Sequence, residues 1–207
     1  MIKWLAKSVF QEKKVSSQRQ EHDQVEQLIM LFNHVFSSRY QTLLVRGDDE
    51  PIYLPADDDH AHHRIVFAHG YFASALHEIS HWCIAGERRR LLEDYGYWYM
   101  PDRRDDSAQQ AFEAAEIAPQ AIEKSLTLAC GRRFNVSVDN LEGSADVDRD
   151  AFAVKVEARR QRYLSDGLPA RAEAFRQALE GLFIEAQSPE QAGQRAGDWL
   201  DQHEQAS

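Results

Sequence analysis

The sequence predicts an α+β fold, a small mixed β-sheet covered by helices, with a central helix carrying the run His77-Glu78-Ile79-Ser80-His81. Three observations lead there. A stretch with apolar residues at helical spacing comes first, three short strand-like runs divided by turn residues follow, and the rest is dominated by helical periodicity. A chain of 207 residues, 43% hydrophobic and 28% charged, fits one folded domain with short appendages.

Taken in order, residues 1–20 form an accessory N-terminal extension. There Lys3, Lys7, Lys13, Lys14 and Arg19 alternate with Trp4, Leu5, Val9 and Phe10, the pattern of a weakly amphipathic helix. The main unit spans residues 21–185. It opens with Val25, Leu28, Ile29, Phe32, Val35 and Phe36, whose spacing buries one stripe of a helix. Strands are expected at 42–45, 52–54 and 64–68, separated by the turn-rich Gly47-Asp48-Asp49-Glu50-Pro51 and residues 55–63. His69-Gly70 then leads into a helix over 71–85, which Gly86 stops.

Beyond a basic helical stretch, Tyr95-Gly96-Tyr97-Trp98-Tyr99 is aromatic and predicted to be extended, with Pro101 ending it. A helix over 107–117 meets Pro119, which suits the first turn of a second helix reaching Cys130 and ending at Gly131. Residues 134–138 are a last strand candidate. Amphipathic helices are predicted over 148–164 and 169–183. Ser188-Pro189-Glu190-Gln191 has the cap, the proline and the glutamine of one more helix start, within a polar C-terminal tail or short helix over 186–207.

Composition narrows the function. A net charge of −10 argues against a general nucleic-acid binder, so no direct DNA binding is expected, and Arg88-Arg89-Arg90 fits a solvated face. No apolar run approaches the roughly 20 residues that cross a bilayer, and the start of the chain has no signal-peptide pattern. Cys83 and Cys130 sit in apolar surroundings and suit buried thiols of a reducing compartment, so a cytoplasmic location is expected.

The chemistry lies on the helix over 71–85. Two histidines four residues apart project from one face, and both rings can reach a common metal at about 2.0–2.1 Å. With nine histidines in 207 residues, a chance His-Glu-x-x-His is on the order of a few per cent. Phe72, Leu76, Ile79 and Cys83 form a bulky apolar stripe roughly opposite His77 and His81, while Gly70, Ala73, Ser74 and Ala85 are small and leave room beside the imidazoles. Two neutral imidazoles leave the charge of the ion unbalanced, so a carboxylate completes the set for zinc or iron. Glu113, Glu116 and Glu142 are the candidates. Glu78 is the general base for metal-bound water in a zinc peptidase; in an oxygenase it orients ligands or binds a cationic substrate. His60, His62 and His63 fit a loop better than a second metal site.

Several long strings add a resemblance. Gly47-Asp48-Asp49-Glu50-Pro51-Ile52-Tyr53-Leu54-Pro55, Arg64-Ile65-Val66-Phe67-Ala68-His69-Gly70, His77-Glu78-Ile79-Ser80-His81-Trp82-Cys83-Ile84-Ala85-Gly86, Gly96-Tyr97-Trp98-Tyr99 and Asp139-Asn140-Leu141-Glu142-Gly143, in that order, resemble the bacterial elongation factor P hydroxylases. The likeness spans roughly residues 24–183. It implies a non-haem iron enzyme that hydroxylates the modified lysine of elongation factor P after a β-lysyl group has been attached, with Fe(II) as cofactor and molecular oxygen as co-substrate. It also implies a fold like that of a bacterial metal-dependent ribosomal-RNA endonuclease and a two-His, one-carboxylate site. Carried onto this chain, the ligands are His77, His81 and, from Phe112-Glu113-x-x-Glu116-x-x-Pro119-Gln120-Ala121, Glu116, with Glu113 and then Glu142 as fallbacks. A substrate side chain ending in ammonium groups calls for anionic or aromatic partners. Asp48, Asp49, Glu50, Tyr97, Trp98 and Tyr99 are the candidates.

Overall fold

The computed structural model describes residues 2–96, 106–138 and 148–203, and side chains within that set other than those of residues 2–15, 17 and 106–111. Helix α1 (Ile2–Tyr40) is a single element. Its stripe of Val25, Leu28, Leu31, Phe32, Val35 and Phe36 is buried in the main core, as the periodicity predicts. Gln41 ends the helix in the left-handed region, with φ 48°.

Strands β1 (Thr42–Arg46), β2 (Ile52–Leu54) and β3 (His63–Phe67) form a three-stranded sheet in the order β1-β3-β2. β3 is central, parallel to β1 and antiparallel to β2, so the sheet is mixed. Asn33 of α1 fixes the sheet's height on the helix: its Oδ1 accepts from Leu44 N at 2.8 Å. The third strand lies one residue earlier than predicted, because Ala68–Gly70 closes into a 3-10 turn. That turn carries His69 and Gly70 at φ 54° and 67°. At φ 67° a side chain at Gly70 would be strained whatever the space around it, which suits a glycine at the point where strand gives way to helix.

Helix α2 (Phe72–Ile84) follows, and Phe72, Ala75, Leu76, Ile79, Trp82 and Cys83 are its buried face. Two short 3-10 turns, Arg89–Leu91 and Glu93–Gly96, come next. Tyr95 and Gly96 are therefore turn residues and not extended; Tyr97, Trp98 and Tyr99 lie outside the described residues.

Helix α3 (Asp106–Ala129) runs through Pro119 where two helices were expected. Proline in a helix interior forfeits the hydrogen bond to the fourth residue back and costs about 3 kcal/mol. Here that carbonyl belongs to the exposed Ala115, where solvent can satisfy it, while Ala121, Ile122 and Leu126 beyond the proline are buried and hold the helix together. The strand expected at 134–138 is not one. Its backbone is satisfied by side chains instead of a neighbouring strand: Gln120 Nε2 donates to Ser137 O at 2.8 Å, Ser137 N donates to Gln120 Oε1 at 3.1 Å, and Arg149 Nη2 donates to Val136 O at 2.7 Å.

Helices α4 (Arg149–Asp166), α5 (Ala170–Phe183) and α6 (Pro189–His203) complete the described chain. Asp148 caps α4 by accepting from Ala151 N at 2.9 Å. At the start of α6, Ser188 Oγ accepts from Gln191 N while Gln191 Oε1 accepts from Ser188 N, the reciprocal box that the sequence predicts. Ala192, Ala196 and Leu200 of α6 are fully buried in the same core as α1 and α5. That core centres on Phe32, Phe36, Trp82 and Phe175, whose rings meet at 4.8–5.7 Å. Cys83 and Cys130 are free and buried. No helix among the described residues is long and apolar enough to cross a membrane.

Candidate metal site

Helix α2 buries its apolar stripe against the core, and this leaves His77 and His81 on the flank that faces α3. Their rings stand at 72° with centroids 4.8 Å apart, and the two Nε2 atoms are 3.2 Å apart. Two nitrogens each about 2.1 Å from one ion, at angles between octahedral and tetrahedral, lie about 3.0–3.4 Å apart, so this separation suits a shared metal. Glu116 of α3 closes the vertex. Its Oε1 is 3.2 Å from His81 Nε2 and its Oε2 is 3.7 Å from His77 Nε2. Ligand atoms of all three residues lie within 4.8 Å of one another, a cluster able to hold a metal ion.

A fourth residue organises the cluster. Glu123, buried on α3 and seven residues past Glu116, places its Oε2 2.9 Å from His77 Nδ1. A carboxylate can only accept, so His77 carries its proton on Nδ1 and turns the lone pair of Nε2 toward Glu116 and His81. Sequence reasoning missed Glu123. The one signal that could have found it is the seven-residue interval, which returns a helix to nearly the same face after two turns. Gln120, between the two glutamates, donates weakly to Glu116 Oε2 at 3.5 Å and ties α3 to residue 137.

Electrostatics favour a cation at this vertex. Burial alone would push the His77 imidazole down, but the hydrogen bond and charge of Glu123, helped by Glu78 and Glu116, raise it to about 10. Burial works against the Glu116 carboxylate, yet His81, His77 and Gln120 hold it down at about 2. The potential that retains a proton on His77 also favours a divalent ion. Burial raises the Glu78 carboxyl above its usual range, against the pull of His77 and His81. His77 and His81 keep 24% and 19% of their side-chain surface, which leaves the vertex reachable.

The other candidates sit apart. Glu113 lies 3.5 Å from Lys155 Nζ and outside the cluster. Asp48, Asp49 and Glu50 are exposed in the β1–β2 turn, where Asp48 O accepts from His69 N at 2.6 Å and Asp49 stands 3.9 Å from His69 Nδ1. Among the described residues no hydrogen bond or ion pair joins that turn to His77, His81 or Glu116. Glu142, Tyr97 and Trp98 lie outside the described residues. His60 pairs with Asp57 at 2.9 Å, and His63 Nδ1 accepts from Ala56 N.

Two imidazoles and a carboxylate on two packed helices, beside a small mixed sheet, define a protein able to hold a single metal ion in a reachable site. Residues 31–192 match the elongation factor P hydroxylase family. An elongation factor P lysine hydroxylase of Haemophilus influenzae is 47% identical over 163 residues, covering 79% of this chain and 90% of that protein. The chain belongs to the elongation factor P hydroxylase family. These matches give the zinc-peptidase reading of Glu78 no support.

Proposed function

We propose that this chain hydroxylates the β-lysylated lysine of elongation factor P, using ferrous iron held by His77, His81 and Glu116 and molecular oxygen as co-substrate. The observation that carries the proposal is the 3.2 Å approach of the two Nε2 atoms over a buried carboxylate, in a chain of this family. Two His and one carboxylate suit non-haem ferrous iron because they leave coordination positions open. When bound there, iron supplies the one-electron chemistry that activates oxygen. The metal-motif role of helix α2 rests on that same pair of histidines.

The protein's own groups do the rest. Glu123 keeps His77 in the tautomer that presents Nε2, and Glu116 balances the charge of the ion. Glu78 is the carboxylate that faces the reacting side chain, which carries positive charge. Asp48, Asp49 and Glu50, with Tyr97 and Trp98, are assigned to outer contacts with elongation factor P, on the chemistry of an ammonium-bearing partner. We assign residues 21–185 to the hydroxylase unit, 1–20 to an accessory extension and 186–207 to a C-terminal appendage. The cytoplasm is the proposed location, supported by two free buried thiols.

The test is direct. Protein reconstituted anaerobically with ferrous iron and then given oxygen, a reductant and β-lysylated elongation factor P should add the mass of one oxygen to the substrate, and His77→Ala should add none. No gain with any reductant, at full iron content, would sink the reading.

A further inference from the structure

Gln120 is a buried amide that stands between the metal cluster and the chain beyond α3. It is 1% exposed, and with Glu116 and Glu123, four residues before it and three after, it shares one face of the helix. A buried amide has to find its hydrogen bonds inside the protein. Gln120 finds two of them on a single residue: its Oε1 accepts from Ser137 N at 3.1 Å, and its Nε2 donates to Ser137 O at 2.8 Å. Residue 137 is braced from a second side. Arg149 Nη2 donates to Val136 O at 2.7 Å, and Val136 packs with Ala121, Phe152 and Val156.

The pairing with Ser137 fixes which way the amide faces. Exchanging its oxygen and nitrogen would set donor against donor and acceptor against acceptor at Ser137, so Nε2 has one allowed position. That nitrogen carries a second N–H, and its acceptor among the described residues is Glu116 Oε2 at 3.5 Å. The contact is long, but its acceptor is a carboxylate only 6% exposed, where water competes little. The two oxygens of Glu116 therefore differ. Oε2 takes the N–H of Gln120, while Oε1 makes the closer approach to an imidazole, 3.2 Å from His81 Nε2 against 3.7 Å for Oε2 and His77 Nε2.

We propose that Gln120 is a positioning residue: braced on Ser137, it engages Oε2 of Glu116 and leaves Oε1 as the single oxygen offered to the ion. Denticity matters to this chemistry. A carboxylate that binds through one oxygen occupies one coordination position, whereas one that binds through both occupies two and leaves less room for oxygen and substrate. Three residues on one face of α3 then divide the work: Glu116 binds the ion, Glu123 sets the tautomer of His77, and Gln120 keeps positions open. This deepens the hydroxylase reading and rests on it for Glu116 as a ligand.

Manganese(II) bound to the full chain provides the test, because its relaxation of water protons scales with the number of waters it holds. Gln120→Met has nearly the same size and no donor, so Glu116 is released to bind through both oxygens. Relaxation per bound ion should fall by about one third, one of the three open positions of an octahedral ion with three protein ligands. Arg149→Met loosens the same segment without touching Gln120 or Glu116, and it should match the parent. Parent-like relaxation in Gln120→Met, or an equal fall in Arg149→Met, overturns the role of Gln120. Should Gln120→Met fail to fold, Gln120→Glu, of the same size, must lower the relaxation, and an unchanged value there overturns the role as well. Glu116→Ala with full manganese affinity would remove Glu116 from the ligands and the role of Gln120 with it. The hydroxylase reading is decided separately, by whether the parent adds the mass of one oxygen to lysylated elongation factor P.

Discussion

At the scale of single residues, Glu123 shows how a site exceeds its ligands. His77 and His81 are legible because four-residue spacing on a helix is a local pattern, and Glu116 becomes the first choice only through resemblance. Glu123 acts across 46 residues of sequence on the far nitrogen of His77, a relation that no local pattern encodes. Outer carboxylates of this kind typically change metal affinity 10–100-fold when removed, because they fix ring tautomer and orientation. Glu123→Gln is therefore expected to weaken ferrous or zinc affinity by about 10-fold or more. Glu113→Ala, which loses only a 3.5 Å contact with Lys155, should leave it unchanged. Metal titration with a competing chelator checks both, and equal effects of the two variants would remove Glu123 from the site.

Elements succeed or fail in the sequence according to whether their hydrogen bonds are their own. Helices α4, α5 and α6 and strand β2 fall where periodicity and caps place them, since those signals are local. The expected strand at 134–138 is apolar and alternating, but Gln120 and Arg149 occupy the backbone groups that a neighbouring strand would need. Pro119 likewise signals a break that burial of the following turn overrides. Helix α2 depends on distant side chains at its C-terminal end: Arg171 of α5 donates to Cys83 O at 3.0 Å and Ala85 O at 2.7 Å, and its guanidinium lies 4.6 Å from the Trp82 ring. Arg90 also donates to Ala85 O, so Cys83 O is the acceptor that would be stranded. Losing a charged donor to a buried carbonyl costs about 1.5–3 kcal/mol. Arg171→Met should lower unfolding free energy by that amount in urea titration and loosen metal binding through α2. A stability equal to the parent's would show that α2 ends without help.

At the scale of the whole molecule, the His cluster holds its geometry because α2 and α3 are clamped by a core that α1, α5 and α6 complete, and nothing in the sequence shows which helices meet. The order β1-β3-β2 is equally hidden, since hairpin signals do not reveal that β1 joins the far side of β3 in parallel. Acid should test this closure through α5. Burial opposes the Glu173 charge, but Arg176 donates to its two oxygens at 2.8 and 2.9 Å and Gln177 at 2.9 Å, and the net effect holds its carboxyl below the usual range. A depressed carboxyl contributes stability that is fully present above its unfolded value, about 4.3, and is lost as pH falls through the lower folded value. Glu173→Gln should therefore be less stable than the parent at pH 7, by no more than about 1 kcal/mol, with the gap closing as pH falls below the ordinary carboxylate range. Urea midpoints at several pH values measure it. A gap that stays constant into acid would mean that packing of the side chain, and not its charge, is what α5 uses.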